Sequence, residues 1–118
     1  MSNQNVIARR PLPHHGLVAY QVACELLVVV KEAHIKDTKL RDQAERAAKS
    51  CCLNIAEAAG RVGGADKKRV FAIARGEAVE AVAAVEIAAL AGDTSERAAA
   101  QCVALADRVV ALLTGLSR

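Results

Sequence analysis

The last part of the chain carries Ala98, Cys102, Leu105, Val109, Leu112 and Leu116, apolar residues set alternately four and three positions apart. On a helix they form one seam, the spacing by which bundled helices bury against each other. A strand cannot use that spacing, because its side chains change face at every second position. The remaining composition points the same way. Alanine and aliphatic residues supply most of the 53% hydrophobic content, and the only aromatics of the Phe, Tyr and Trp class are Tyr20 and Phe71. Strong helix formers with so few aromatics favour an all-α fold. With 118 residues, the chain has room for one domain.

Three further helices are expected. The first runs from near Gly16 to about Ala33, with Leu17, Tyr20, Cys24 and Leu27 as its stripe; Leu26 to Val30 is apolar all round, so burial on more than one side is expected. The link "HIKDT" leads to a second stripe, Leu40, Ala44, Ala47, Cys51, Ile55 and Ala58, stopped by Gly60, Gly63 and Gly64. The third helix runs from Ala65 or Asp66 to Ala91 on Phe71, Ala74, Ala78, Val82, Val85 and Ala89. Gly92 suits the position after a helix end, and Asp93 stands three residues before Glu96, the spacing of a capping box. Short links make consecutive helices neighbours, so the expected architecture is an antiparallel up-down-up-down four-helix bundle over residues 16–118. Small seam residues should bring the second and third helices close together. Residues 1–15, polar and containing Pro11 and Pro13, read as a flexible arm.

The net charge of +3 is too small by itself to argue for nucleic acid, but it is unevenly divided. Residues 31–75 carry eleven Lys/Arg against six Asp/Glu, whereas residues 76–118 carry three against six. The division would allow a basic face and an acidic one; a solvated mixed surface is the plainer meaning. Cys24, Cys51, Cys52 and Cys102 contain no C-x-x-C pair and are expected reduced and buried as small apolar residues. The N-terminus lacks the apolar core of a signal peptide, and no uninterrupted apolar run reaches the roughly 20 residues of a membrane span, so a cytoplasmic, membrane-free protein is expected.

Catalytic chemistry finds little footing. A di-iron bundle needs Glu-x-x-His on two helices, and none of Glu25, Glu32, Glu57, Glu77, Glu80 and Glu86 has a histidine three places on. "GRVGGADKK" matches neither glycine-rich phosphate motif, and no strand precedes it. No histidine accompanies Cys51 or Cys52 in a recognisable pattern. Neither a metal, a cofactor nor an enzyme activity is expected. What remains is a cluster of cations, Arg61, Lys67, Lys68 and Arg69, around a glycine turn, where a helix N-terminus would rather meet anions.

A polar row also interrupts the second helix: Asn54, Glu57 and Arg61 share one face. Folding the third helix back at the turn near Gly63 would bring Arg75 near the height of Asn54 or Glu57. A Glu57–Arg75 pair supported by Asn54 is then expected, with an ordinary Glu57–Arg61 surface pair as the simpler alternative.

These residues carry a resemblance. "QAERAAKSCCLNIAEAAGR" followed by "FAIARGEAVEA" resembles the bacterial four-helix-bundle family of intervening-sequence proteins, first found encoded within large-subunit ribosomal RNA genes. The matching positions are Gln43, Arg46, Ala47, Ser50, Asn54, Ile55, Ala56, Glu57 and Arg61, then Phe71, Ala74, Arg75, Gly76 and Glu80; Tyr20 and Gln21 fit the start of the first helix. The chain departs from the pattern at Ala58, at Glu77 and in the link "AHIKDT". The resemblance implies a left-handed bundle that assembles as a ring, commonly a homopentamer, without known catalytic activity. Proteins of similar fold serve as accessory factors of diversity-generating reverse transcriptases.

The functional expectation is a non-enzymatic ring-forming bundle whose basic side binds RNA or DNA through phosphates, with Lys36, Lys39, Arg41, Arg46, Lys49, Arg61, Lys67, Lys68 and Arg69 as candidates. Two aromatics leave little base stacking, so such binding would be sequence-tolerant and salt-dependent. The rival expectation is a scaffold for a protein partner.

Overall fold

A computed structural model describes residues 11–118, which form four helices and, among the described residues, no strand. They are α1 (Val18–Glu32), α2 (Thr38–Gly60), α3 (Gly64–Leu90) and α4 (Glu96–Leu116). Each helix packs on its chain neighbours and α4 also packs on α1, with α2 and α3 sharing the most extensive surface. Alanine explains that extent. Ala44, Ala47, Ala48 and Ala58 of α2 and Ala74, Ala78, Ala81, Ala84 and Ala88 of α3 are all buried, and side chains this short let two backbones approach closely.

The core has two layers. Toward the α1–α2 link, Leu26, Val30, Ile35, Val85 and Cys102 meet; toward the α2–α3 turn, Val22, Ile55, Val70, Phe71, Val109 and Leu113 meet. Leu27 and Leu105 pack against both. The expected α2 stripe lies in this core from Ala44 to Ala58, with Leu40 half-buried at its start. On α1 the expected stripe is displaced. Ala19, Val22, Ala23, Leu26 and Val30 are buried, while Leu17, Tyr20, Cys24 and Leu27 are half-buried on its flank. A helix apolar almost all round does not announce which face is innermost, and the small Ala19 and Ala23 give the closer fit. Val28 stays 53% exposed, so the apolar surround of α1 is not covered on every side within one chain.

Helix ends follow local chemistry. Asp37 caps α2, its carboxylate accepting from the Leu40 N–H at 2.9 Å. At the end of α3, Gly92 takes φ +81°, its N–H reaches the Ala89 carbonyl and the Asp93 N–H reaches that of Ala88. This is the paired closure that a left-handed residue permits after a helix. Asp93 is thereby used to finish α3, and the expected Asp93 cap of α4 is replaced by Ser95, whose hydroxyl accepts from Ala98 N–H at 3.0 Å. The two long links meet at one end of the molecule: Lys36 N–H donates to the Asp93 carbonyl at 2.9 Å and the Thr94 hydroxyl to the Ala33 carbonyl at 2.6 Å.

Two further expectations change. Residues 1–10 of the expected arm lie outside the described residues, but 13–16 form a turn docked on α1. His14 meets the Tyr20 ring edge-on at 4.7 Å, and Gln21 donates to the His15 carbonyl. Helix α4 also reaches a mean hydropathy of 1.5 over 18 residues, long and apolar enough for a membrane span by composition. Its alanines raise that value without an unbroken apolar run, and its buried row of Ala99, Cys102, Ala106, Val109 and Leu113 belongs to the core shared with the other helices.

Candidate polyanion surface

The cations of the α2–α3 turn are largely engaged inside the protein. Arg61 pairs with Glu57 one turn earlier on α2 and with Asp66 at 2.8 Å; Asp66 in turn accepts from Arg69 at 2.9 Å. Asp66 lies in the first turn of α3, where a carboxylate suits the positive end of the helix dipole. The Arg69 and Arg61 guanidiniums hold its carboxyl below the usual range, and Glu57, followed by Asp66, raises the pKa of Arg61. Lys67 extends its ammonium to the Ala59 carbonyl at 2.8 Å, serving the last turn of α2. Of the four turn cations, Lys68 alone makes no side-chain hydrogen bond or ion pair among the described residues.

The expected Glu57–Arg75 pair does not form. Arg75 Nε donates instead to the Thr114 hydroxyl of α4 at 2.8 Å, and that hydroxyl donates to the Val110 carbonyl. Ala74 points into the core, and the step of about 100° to the next position carries Arg75 away from α2. Asn54 turns back along its own helix, donating to the Ser50 carbonyl at 2.9 Å and to its hydroxyl at 3.1 Å. The simpler Glu57–Arg61 pair is the one present.

The polar link between α2 and α3 lies elsewhere. Arg46 pairs with Glu80 and approaches Glu77 at 3.8 Å. Gly63 stands midway between Arg46 and Glu80 in the sequence, so the fold-back is centred at the expected turn, where Arg75 comes level with Cys51 rather than with Glu57. Opposite charges at equal distances from Gly63 were the available signal. Arg41 donates to the Ile35 carbonyl at 3.4 Å and fastens the α1–α2 link.

Three of the nine candidates remain on the α2 side without a side-chain partner among the described residues: Lys36, Lys39 and Lys49, all exposed. Lys49 also lines a shallow groove along α2, together with Asp42, Arg46, Leu53, Asn54 and Glu57. Two lysines ten positions apart on a helix are separated by about 15 Å along its axis. Such a row, with carboxylates interspersed, can make phosphate contacts but offers no enclosed pocket for one small anion.

Burial pushes the Cys51 and Cys52 thiols up to about 12 and that of Cys102 up to about 11, leaving hardly any thiolate near neutral pH. Among the described residues, no group of His, Cys, Asp and Glu has the arrangement to hold a metal ion.

A comparison with curated proteins gives no match. The family model described as 23S rRNA-intervening sequence protein matches residues 16–115, from the turn before α1 into the last turn of α4. That match covers all four helices and both helices of the Arg46–Glu80 link. The chain therefore belongs to the 23S rRNA-intervening sequence protein family.

Proposed function

We propose that this chain is a non-enzymatic, antiparallel up-down-up-down bundle that assembles as a cytoplasmic ring and binds RNA or another polyanion through the lysines beside and along α2. The antiparallel course is supported by the Arg46–Glu80 and Arg75–Thr114 contacts and by the meeting of the two long links. Self-association is supported by apolar surface that one chain leaves open, including Leu53 at 71% and Leu90 at 89% exposure. The polyanion reading rests on one observation: Lys36, Lys39 and Lys49 have no side-chain partner among the described residues, whereas Arg46, Arg61, Lys67 and Arg69 are committed internally.

The test is fluorescence anisotropy of a labelled single-stranded RNA at several salt concentrations, with light scattering on the same sample. Each phosphate contact contributes about 0.7 to the slope of log affinity against log salt. Replacing Lys36, Lys39 and Lys49 together by alanine should lower that slope by about 2 and weaken binding at low salt. An unchanged slope and affinity would overturn the reading.

A second reading, a docking scaffold for a protein such as a polymerase, is favoured by the groove between α3 and α4. Val82, Leu90, Ala99, Val103 and Val110 line it, with Glu86 and Asp107 beside them. One stoichiometric protein, recovered with the chain and insensitive to nuclease, would support this reading.

A further inference from the structure

Helix α3 has two apolar faces. One, running from Phe71 through Ala74, Ala78 and Val85 to Ala88, is buried in the chain's own core. The other carries Ala72, Gly76, Val79, Ala83, Ile87 and Leu90 at steps of three and four, the spacing of a helix seam, and no charge falls on it. It is largely open: Val79, Ile87 and Leu90 are 44%, 51% and 89% exposed. Gly76 sits in the middle of α3, where glycine is a poor helix former, yet a Cβ there would meet nothing within 4 Å in its own chain. Packing inside the chain does not account for this glycine, whereas a second helix lying close over it would. Charge flanks the seam on both sides. Toward α4 stand Arg75, whose Nε donates to the Thr114 hydroxyl, and Glu86, which has no ion-pair partner among the described residues. Toward α2 stands Glu80, paired with Arg46.

We propose that this face of α3 is a two-fold interface on which a second copy of the chain docks its own α3, antiparallel and seam to seam. Centred on Ala81, that register sets Leu90 opposite the partner's Ala72 and Val79 opposite the partner's Ala83, and it brings Ile87 within one position of the partner's Gly76. Each large side chain thus meets a small one, and the Ile87 side chain fills the space that Gly76 leaves. The flanks agree with the same register. In an antiparallel pair related by a two-fold axis, like flanks meet, so Arg75 comes beside the partner's Glu86, one position or about 1.5 Å out of level, and the axis repeats the pair. Within one chain Arg75 and Glu86 stand roughly 16 Å apart along the helix and cannot pair. On the other flank the two Glu80 carboxylates approach, each accompanied by Arg46 of its own chain, so that flank carries balanced charge.

A parallel pairing in register would satisfy neither feature. It would set Gly76 against Gly76 over an empty space, stack Leu90 on Leu90, and leave Glu86 without a cation. The interface goes beyond the ring proposed above and stands independently of it. A two-fold contact joins two chains, or two rings, through the same patch on each, whereas a ring is closed by a head-to-tail contact between two different patches.

The experiment measures the mass of the full chain in solution by light scattering over a concentration series, with far-UV circular dichroism to confirm the fold of each variant. Arg75→Glu and Glu86→Arg each place like charges at both ends of the contact and should weaken pairing at least about tenfold, leaving particles of half the wild-type mass. The double variant, carrying both changes, restores opposite charges only between chains and should return the wild-type mass, although it still lacks the Arg75–Thr114 bond. Gly76→Met should keep its helix content, because its own chain leaves room for the side chain, and should halve the mass by obstructing the partner's Ile87. These are ratios, so they read the same whether the half-mass particle is one chain or a ring. A wild-type mass no greater than that of Gly76→Met, or a double variant that stays at half mass, would overturn the proposal.

Discussion

The ammonium of Lys67 donates to the Ala59 carbonyl at 2.8 Å, across the turn that joins α2 to α3. A cation that the sequence offers to an anionic partner therefore supports the last turn of its neighbouring helix. Lys67→Met keeps most of the stem but removes this charge-assisted bond. The variant should lose about 0.5–1 kcal/mol of stability in urea unfolding. Its RNA affinity should change by less than about twofold, because the ammonium is already engaged by the Ala59 carbonyl and one lost phosphate contact would cost more than that.

Asp66 bridges Arg69 and Arg61, which depress its pKa in the folded state. A depressed acid stabilises the fold above its unfolded value and loses that contribution as pH falls through the folded value. Asp66→Asn should therefore melt lower than the wild type at neutral pH. The gap should close as pH falls below the ordinary carboxylate value near 3.8, as thermal melts across an acid series would show.

The alkaline side has the opposite sign. The Cys51 thiol moves from an ordinary value of 9.0 to about 12 because burial disfavours the thiolate, with Glu77 adding to the shift. Its contribution is fully present below 9.0 and is lost as pH rises through about 12, since the unfolded chain ionises first. Under reducing conditions, wild-type stability should fall through that window. Cys51→Ala, small and apolar, should flatten the fall, as urea unfolding at several alkaline pH values would measure.

His34 sits just after α1 with φ at 46°, the left-handed region that a side chain resists. The position is exposed and its N–H returns to the Lys31 carbonyl at 3.2 Å. Glycine accepts that conformation freely, so His34→Gly should stabilise the protein by about 1 kcal/mol, read as a higher urea midpoint with an unchanged slope.

Much of the fold could be read directly because its causes are local. Alternating steps of three and four on α2 follow from helix geometry, and Gly92 marks the left-handed residue that closes α3 whatever packs around it. The innermost face of α1 could not be read in this way. Its apolar residues surround the helix, and the choice of Leu26 and Val30 over Tyr20 and Cys24 depends on how closely neighbouring helices fit Ala19 and Ala23. The partners of the charged residues were hidden for a related reason. Sequence spacing identifies Glu57–Arg61, but Arg46–Glu80 depends on where the chain reverses, and the Arg75–Thr114 contact depends on Ala74 taking the core-facing position beside it. The sequence by itself determined four helices, most of their ends and the family pattern, through interactions within a few residues of one another. Only the tertiary structure decided which cations remain available to a partner, because an ammonium or guanidinium takes the nearest acceptor in space, however distant in sequence.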